Sequence, residues 1–150
     1  MNPELVHQWF ETYKTGIFRY ALSILKDPQL AEDVLQETFL RLLRGNRSPL
    51  PGKEQAFLFK VARNLCYDTL RKRKRDAEEI TDIPVAPDSA WEFTDLIAPL
   101  SKKEQEIVSL KILGGLTHAE IAEVIGTTTA GAKKRYERAL EKLRTETEVL

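Results

Sequence analysis

The chain has 150 residues, of which 23 are basic and 23 acidic, so the formal net charge is zero; 42% are hydrophobic. That length suits one domain or two small ones. The single cysteine, Cys66, excludes an internal disulfide and a cysteine-built metal site. No apolar run approaches the ~18 residues of a membrane span, and MNPELVHQWF lacks the basic start and cleavage pattern of a signal peptide. A soluble, cytoplasmic chain without membrane contact is expected.

Along the chain, residues 3 to about 25 predict a helix, because Val6, Trp9, Phe10, Tyr13, Ile17, Tyr20, Ala21 and Ile24 recur at three- and four-residue steps. Gly16 weakens it by about 1 kcal/mol relative to alanine. Asp27 followed by Pro28 starts a second helix, to about Arg44, with the cap before the proline of the first turn. It is expected to bury Ala31, Val34, Leu35, Phe39, Leu42 and Leu43 and to turn Asp33, Gln36, Glu37 and Arg41 outward on one face. GNRSPLPG, residues 45 to 52, must be a loop. A third helix, about Glu54 to Arg75, places Leu58, Val61, Ala62, Leu65 and Leu70 inward, and Lys60, Asn64, Asp68, Arg71 and Arg75 outward. Cys66, among Leu65, Tyr67 and Leu70, reads as a small buried hydrophobe.

The zero net charge conceals a segregation. RKRKR (71–75) is followed by residues 76–100, which hold seven acids and no base. Within a Debye length of about 8–10 Å such local fields outweigh the total. Pro84, Pro87 and the acids predict a flexible acidic tether over 76–96 between units spanning 1–75 and 97–150. Its carboxylates offer a solvated tether, a polyanion mimic or a mask for RKRKR, to be separated by neutralising Asp76, Glu78, Glu79 and Asp82.

Ser101 with Glu104 is a capping box that opens a helix carrying Ile107, Val108, Leu110, Lys111 and Ile112, before Gly114 and Gly115 stop it. Thr117 with Glu120 is a second one, and its helix buries Ile121, Ala122, Val124 and Ile125 until Gly126. Thr127, Thr128 or Thr129 then caps the last helix. From Lys133 to Arg144 it bears Lys133, Lys134, Arg135, Arg138, Lys142 and Arg144 against Glu137 and Glu141, with Tyr136, Ala139, Leu140 and Leu143 as an apolar stripe. Two short helices, a glycine turn and a one-sided basic face predict a helix-turn-helix whose second helix meets a DNA groove. The fold expected is all-α: an N-terminal helical unit, a tether and a helix-turn-helix of winged-helix type without the wing.

Four stretches taken in order, DPQLAEDVLQETFLRLL (27–43), FLFKVARNLCYDTLRKRKR (57–75), LSKKEQEIVSLKILGGLTHAEIAEVIG (100–126) and KKRYERALEKLR (133–144), resemble the extracytoplasmic-function (ECF) group of bacterial RNA polymerase sigma factors. The resemblance implies a region 2-like domain and a region 4-like domain. It also implies core RNA polymerase, promoter DNA and an anti-sigma protein as partners, and no cofactor. It carries Asp33, Gln36, Glu37 and Arg41 over as polymerase contacts, and Asn64, Asp68, Arg71 and Arg73 as contacts to the minus-ten strand, with loop 45–52 accepting a flipped base. Phe57 stands where the family usually has tryptophan; Phe57, Phe59 and Tyr67 are assigned mainly to packing. Thr128, Thr129, Lys133, Lys134, Arg135 and Arg138 are implied to face the minus-thirty-five duplex. Ala130-Gly131-Ala132 departs from the family's Gly-Thr-Val, so a looser start to that helix is expected.

Enzymatic chemistry has no support in the sequence: His7 and His118 are isolated, His118 reads as a first-turn surface residue, and no phosphate loop or metal spacing occurs. The rival is a homodimeric helix-turn-helix regulator that reads duplex DNA without polymerase. A helical partner protein that no longer reads DNA is a weaker third.

Overall fold

A computed structural model of the chain describes residues 2–45, 47–75 and 88–148, and these are helical throughout apart from turns and loops. In order they form α1 (Pro3–Leu25), α2 (Pro28–Arg44), α3 (Glu54–Arg75), α4 (Asp88–Ile97), α5 (Lys102–Ile112), α6 (His118–Ile125) and α7 (Thr129–Glu148). Local chemistry sets most of the boundaries. The Asp27 carboxylate accepts from the Gln29 and Leu30 amides at 2.9 and 3.3 Å, which satisfies two orphan donors of α2. Both capping boxes close: Ser101 and Glu104 exchange bonds of 3.0 and 3.3 Å, Thr117 and Glu120 bonds of 3.0 and 3.2 Å. Gly126 ends α6 at φ 76°, donating to Ala122 O, and so turns the chain sharply into α7.

Helix α4 begins at Asp88, inside the stretch where the sequence places a tether. Its acids at Asp88, Glu92 and Asp95 read as tether composition, yet Phe93 and Ile97, one helical turn apart, pack on a small cluster with Leu100, Val108, Ala139, Tyr136 and Leu143. Asp76, Glu78, Glu79 and Asp82, and with them the masking expectation, lie outside the described residues.

The main core is shared by the two ends of the chain. Ile17, Tyr20, Leu25, Leu58 and Phe59 from α1 and α3 form one cluster with Ile107 and Leu110 of α5, Leu116 of the loop after it and Ile121 of α6. Helix α1 is therefore covered nearly all round its last two turns, by α2 and α3 on one side and by α4 and α5 on the other. Two glycines permit this approach. A Cβ on Gly16 would stand 3.4 Å from both the Leu113 carbonyl oxygen and the Phe59 ring; one on Gly114 would stand 2.9 Å from that ring and from a Leu116 methyl. Gly16 is thus a contact surface as well as a weak point in a helix. The Tyr20 ring packs edge-on to Phe59 with centroids 5.7 Å apart. Cys66 is fully buried beside them, and burial pushes its thiol up to about 12.

Candidate nucleic-acid interface

Three helix faces carry the polar residues singled out from the sequence. On α2, Asp33, Gln36 and Arg41 are exposed and Glu37 is half-buried. Arg41 Nε lies 3.4 Å from Glu37 Oε1, and Gln36 donates to Glu32 at 3.4 Å. The pair is an i, i+4 surface contact of about 0.3–0.5 kcal/mol, so it orients the side chains without consuming the face. Leu43, expected in the core, is 45% exposed, and Leu40 stands exposed on the same helix. The apolar run Phe39, Leu40, Leu42, Leu43 is wider than the stripe that one helix can bury, so two of its four members face solvent beside Gln36 and Arg41.

On α3, Asn64 and Arg71 are exposed, and Asp68 is half-buried and paired with Arg71. Arg71, Lys72, Lys74 and Arg75 line a shallow groove with Asp68. Arg73 is turned the other way: it donates to the Leu25 carbonyl oxygen at 2.9 Å and stands 3.6 Å from Asp27 Oδ2. It thereby satisfies the C-terminal end of α1 and braces the α1–α2 junction. A second groove, between α2 and α3, is lined by Arg41, Leu42, Gly45, Arg47, Phe57 and Val61, which sets cations beside a half-buried aromatic ring. Phe59 is fully buried, in keeping with its packing assignment.

Thr128, just before α7, and Thr129, Lys133, Lys134, Arg135 and Arg138 on it are all exposed, while Ala132 and Ala139 are fully buried beneath them. The Thr128 hydroxyl accepts from the Gly131 amide at 3.0 Å and so supplies a bond that the first turn needs. A Cβ at Gly131 would sit 2.9 and 3.0 Å from the Thr127 and Thr128 hydroxyl oxygens. Gly131→Val would therefore disturb the cap itself. Lys142 reaches Glu104 at 2.9 Å and ties α7 to the start of α5; that hydrogen bond and those at Ser101 hold the Glu104 carboxyl below the usual range. His118 departs from its surface assignment: it is half-buried, its ring centroid is 5.5 Å from that of Tyr136, and Nδ1 has no hydrogen-bond partner among the described residues.

A fourth cluster lies outside the sequence expectations. Glu106 on α5 is 7% exposed, with Oε1 accepting from Arg63 Nε at 2.6 Å and Oε2 from the Tyr67 hydroxyl. The Arg63 guanidinium also lies 4.9 Å from the Tyr67 ring centroid. Burial alone would pull Arg63 down, but the Glu106 hydrogen bond and charge raise it overall; burial and then the Glu106 hydrogen bond raise the Tyr67 phenol well above its usual value. The signal available in sequence was Glu106 itself, an acid one helical turn before Leu110 on the face that α5 buries.

Among the described residues no group of three or more His, Cys, Asp or Glu could hold a metal ion, and no helix is long and apolar enough to cross a membrane. A short helix, a left-handed glycine turn and a second helix with a bare cationic face define a DNA-binding protein of the helix-turn-helix class. The Sigma-70 region 2 family model matches residues 9–76, and the Sigma-70, region 4 model matches residues 90–143. The ECF RNA polymerase sigma factor EcfG of Rhodopseudomonas palustris is 31% identical over 83% of this chain and 75% of its own length. SigM of Bacillus subtilis, another ECF RNA polymerase sigma factor, is 28% identical over 93% of both chains. The chain belongs to the ECF RNA polymerase sigma factors, and it directs RNA polymerase to promoters rather than acting as a self-sufficient dimeric regulator. Its fold is that of the sigma factor RpoE solved with the anti-sigma factor NepR from Bartonella quintana (TM-score 0.72, 24% identity, covering 95% of this chain and 96% of that one). CnrH, solved with the cytosolic domain of CnrY, is alike in fold (TM-score 0.73, 20% identity, 99% and 90% covered).

Proposed function

We propose a division of labour by face. Asp33, Gln36, Glu37 and Arg41 on α2 dock on core RNA polymerase, with exposed Leu40 and Leu43 giving that surface an apolar part. Asn64, Asp68 and Arg71 on α3 take one strand of the opened minus-ten element, and Arg73 supports them from the α1–α2 junction. Thr128, Thr129, Lys133, Lys134, Arg135 and Arg138 on α7 meet the minus-thirty-five duplex. Residues 1–75 and the unit that α4 opens at Asp88 act as separate modules on the promoter, joined through residues 76–87. The protein works in the cytoplasm, performs no catalysis and needs no cofactor. An anti-sigma protein is a partner by analogy with RpoE, which was solved with the anti-sigma factor NepR.

The observation that carries this reading is the α7 face: Thr128 at its cap and five polar or cationic side chains along it stand in solvent, while Ala132 and Ala139 lock the helix down from within. Cations so placed release counterions from phosphates, and the helix start presents threonines to base edges. The test is to mix the purified chain with bacterial core RNA polymerase and follow holoenzyme formation and initiation on selected promoter fragments. Asp33→Ala with Gln36→Ala should cut polymerase binding at least tenfold while the helical circular dichroism stays unchanged. Undiminished binding removes the α2 assignment.

A further inference from the structure

Helix α7 is held along one face. Ala132, Tyr136, Ala139 and Leu143 recur at i, i+4, i+7 and i+11 and pack inward: Ala132 joins the main core, Ala139 and Leu143 join the smaller cluster with Val108 of α5, and Tyr136 touches both. The two alanines are fully buried. Their methyls let the helix come close, yet they are too small to interlock as larger ridges and grooves do, so the seam resists rolling of α7 only weakly. Rolling matters to a helix that reads bases. At an outer radius of about 5 Å, a slip of about 1 Å at the surface is a roll of about 10°, while a recognition contact must be held within about 0.5 Å and 10–20°.

A polar link stands on the flank of that seam. Lys142 Nζ lies 2.9 Å from Glu104 Oε1, across 38 residues of chain. The same oxygen accepts from the Ser101 amide at 3.0 Å, and the Ser101 hydroxyl accepts from the Glu104 amide in return. Glu104 is therefore no free surface rotamer: the capping box that starts α5 fixes it before Lys142 arrives, and its side chain is 16% exposed. Fixing one partner beforehand lowers the entropy cost that leaves most exposed ion pairs with little net effect. Lys142 also ends a stripe, since Arg135, Arg138 and Lys142 stand at i, i+3 and i+7 along one side of α7. Glu104 holds the last member of that stripe, and the first two belong to the face assigned to duplex DNA.

We propose that Glu104 and Lys142 are positioning residues that set the roll of α7, and so decide how sharply Arg135 and Arg138 discriminate one minus-thirty-five sequence from another. The proposal rests on the assignment of α7 to the minus-thirty-five duplex. Holoenzyme made with core polymerase tests it by initiation on two fragments, a selected promoter and the same promoter with its minus-thirty-five bases replaced. Glu104→Gln keeps the capping box, which takes either residue, but ends the charge pair; Lys142→Met keeps the stem and loses the ammonium. Each should lower the ratio of initiation on the two fragments at least about threefold, the two together should lower it no further, and Lys142→Arg should preserve it. Initiation on the replaced fragment, and its salt dependence, should stay as in the wild type. A Lys142 that simply meets a phosphate would weaken both fragments alike and reduce the salt slope by about one. A role in stability alone would lower initiation on both in proportion and leave the ratio where it was. Either result, or an unchanged ratio in Glu104→Gln, overturns the proposal. Arg138→Ala separates it from the reading beneath: a ratio lowered by Arg138→Ala alone sinks the positioning role and leaves the α7 assignment standing, whereas a ratio that none of the variants moves removes both.

Discussion

Helices α3 and α7 each close a packed unit and each carry clustered cations, yet they hold them on different terms. Lys133, Lys134, Arg135 and Arg138 of α7 stand in solvent and form no ion pair with the other described residues. On α3 three cations are engaged, Arg63 with Glu106, Arg71 with Asp68, and Arg73 with Leu25 and Asp27, while Lys72, Lys74 and Arg75 stand exposed. A free cationic face is ready for duplex DNA at first encounter, and its grip falls with salt as counterions are released. An engaged face must first exchange internal partners, which makes its availability depend on the conformation of the whole chain. The difference teaches that charge along a helix marks a candidate nucleic-acid face, while the partners brought by packing decide how much of that charge is free.

Three measurements break or sharpen the contrast. The largest effect belongs to Phe59→Ala, since this fully buried ring of α3 touches Tyr20, and Cβ atoms placed on Gly16 or Gly114 would meet it. The loss should be about 3–5 kcal/mol, read by chemical denaturation, with both ends of the chain unfolding in one transition; two separated transitions would show that the shared core couples them less than its packing implies. A smaller effect comes from alkaline pH. Burial and the Glu106 hydrogen bond raise Tyr67 in the folded chain, and burial followed by Glu54 raises Tyr13 to about 12. Because the folded values lie above the unfolded value of about 10, the contribution is full below about pH 10. It is lost as pH climbs toward the folded values. Stability measured from pH 9 to 11.5 should fall accordingly, and Tyr67→Phe should flatten part of the slope. Least affected is Thr128→Ala, which removes the cap of α7 and should cost about 1 kcal/mol while leaving α3 untouched; faster hydrogen exchange at the Gly131 amide, with no change on α3, is the expected signature.

How much of this was legible in the sequence follows from the range of the interactions concerned. Asp27-Pro28, Ser101 with Glu104, and Thr117 with Glu120 fix helix starts within four residues, and all three stand in the structure as the sequence predicts. The outward positions of Asp33, Gln36, Asn64 and Lys133 follow from helical periodicity in the same way. Arg63 and Glu106 are 43 residues apart, so no local pattern announces their bond. Periodicity places Leu43 in the core because a period alone does not say how wide a stripe the neighbours cover, and composition makes α4 a tether because its acids outweigh a short apolar repeat. Gly16 shows the same limit from the other side: helix propensity registers its cost, whereas its use appears only when Phe59 and Gly114 arrive from elsewhere.

The fate of Cys66 has a practical corollary. A sulfur with no solvent contact and almost no thiolate at neutral pH is silent toward maleimide dyes and mild oxidants. Cysteines introduced on α2, α3 or α7 can therefore carry fluorophores one site at a time on the otherwise unaltered chain, and distances between its two ends can be followed as it meets the polymerase.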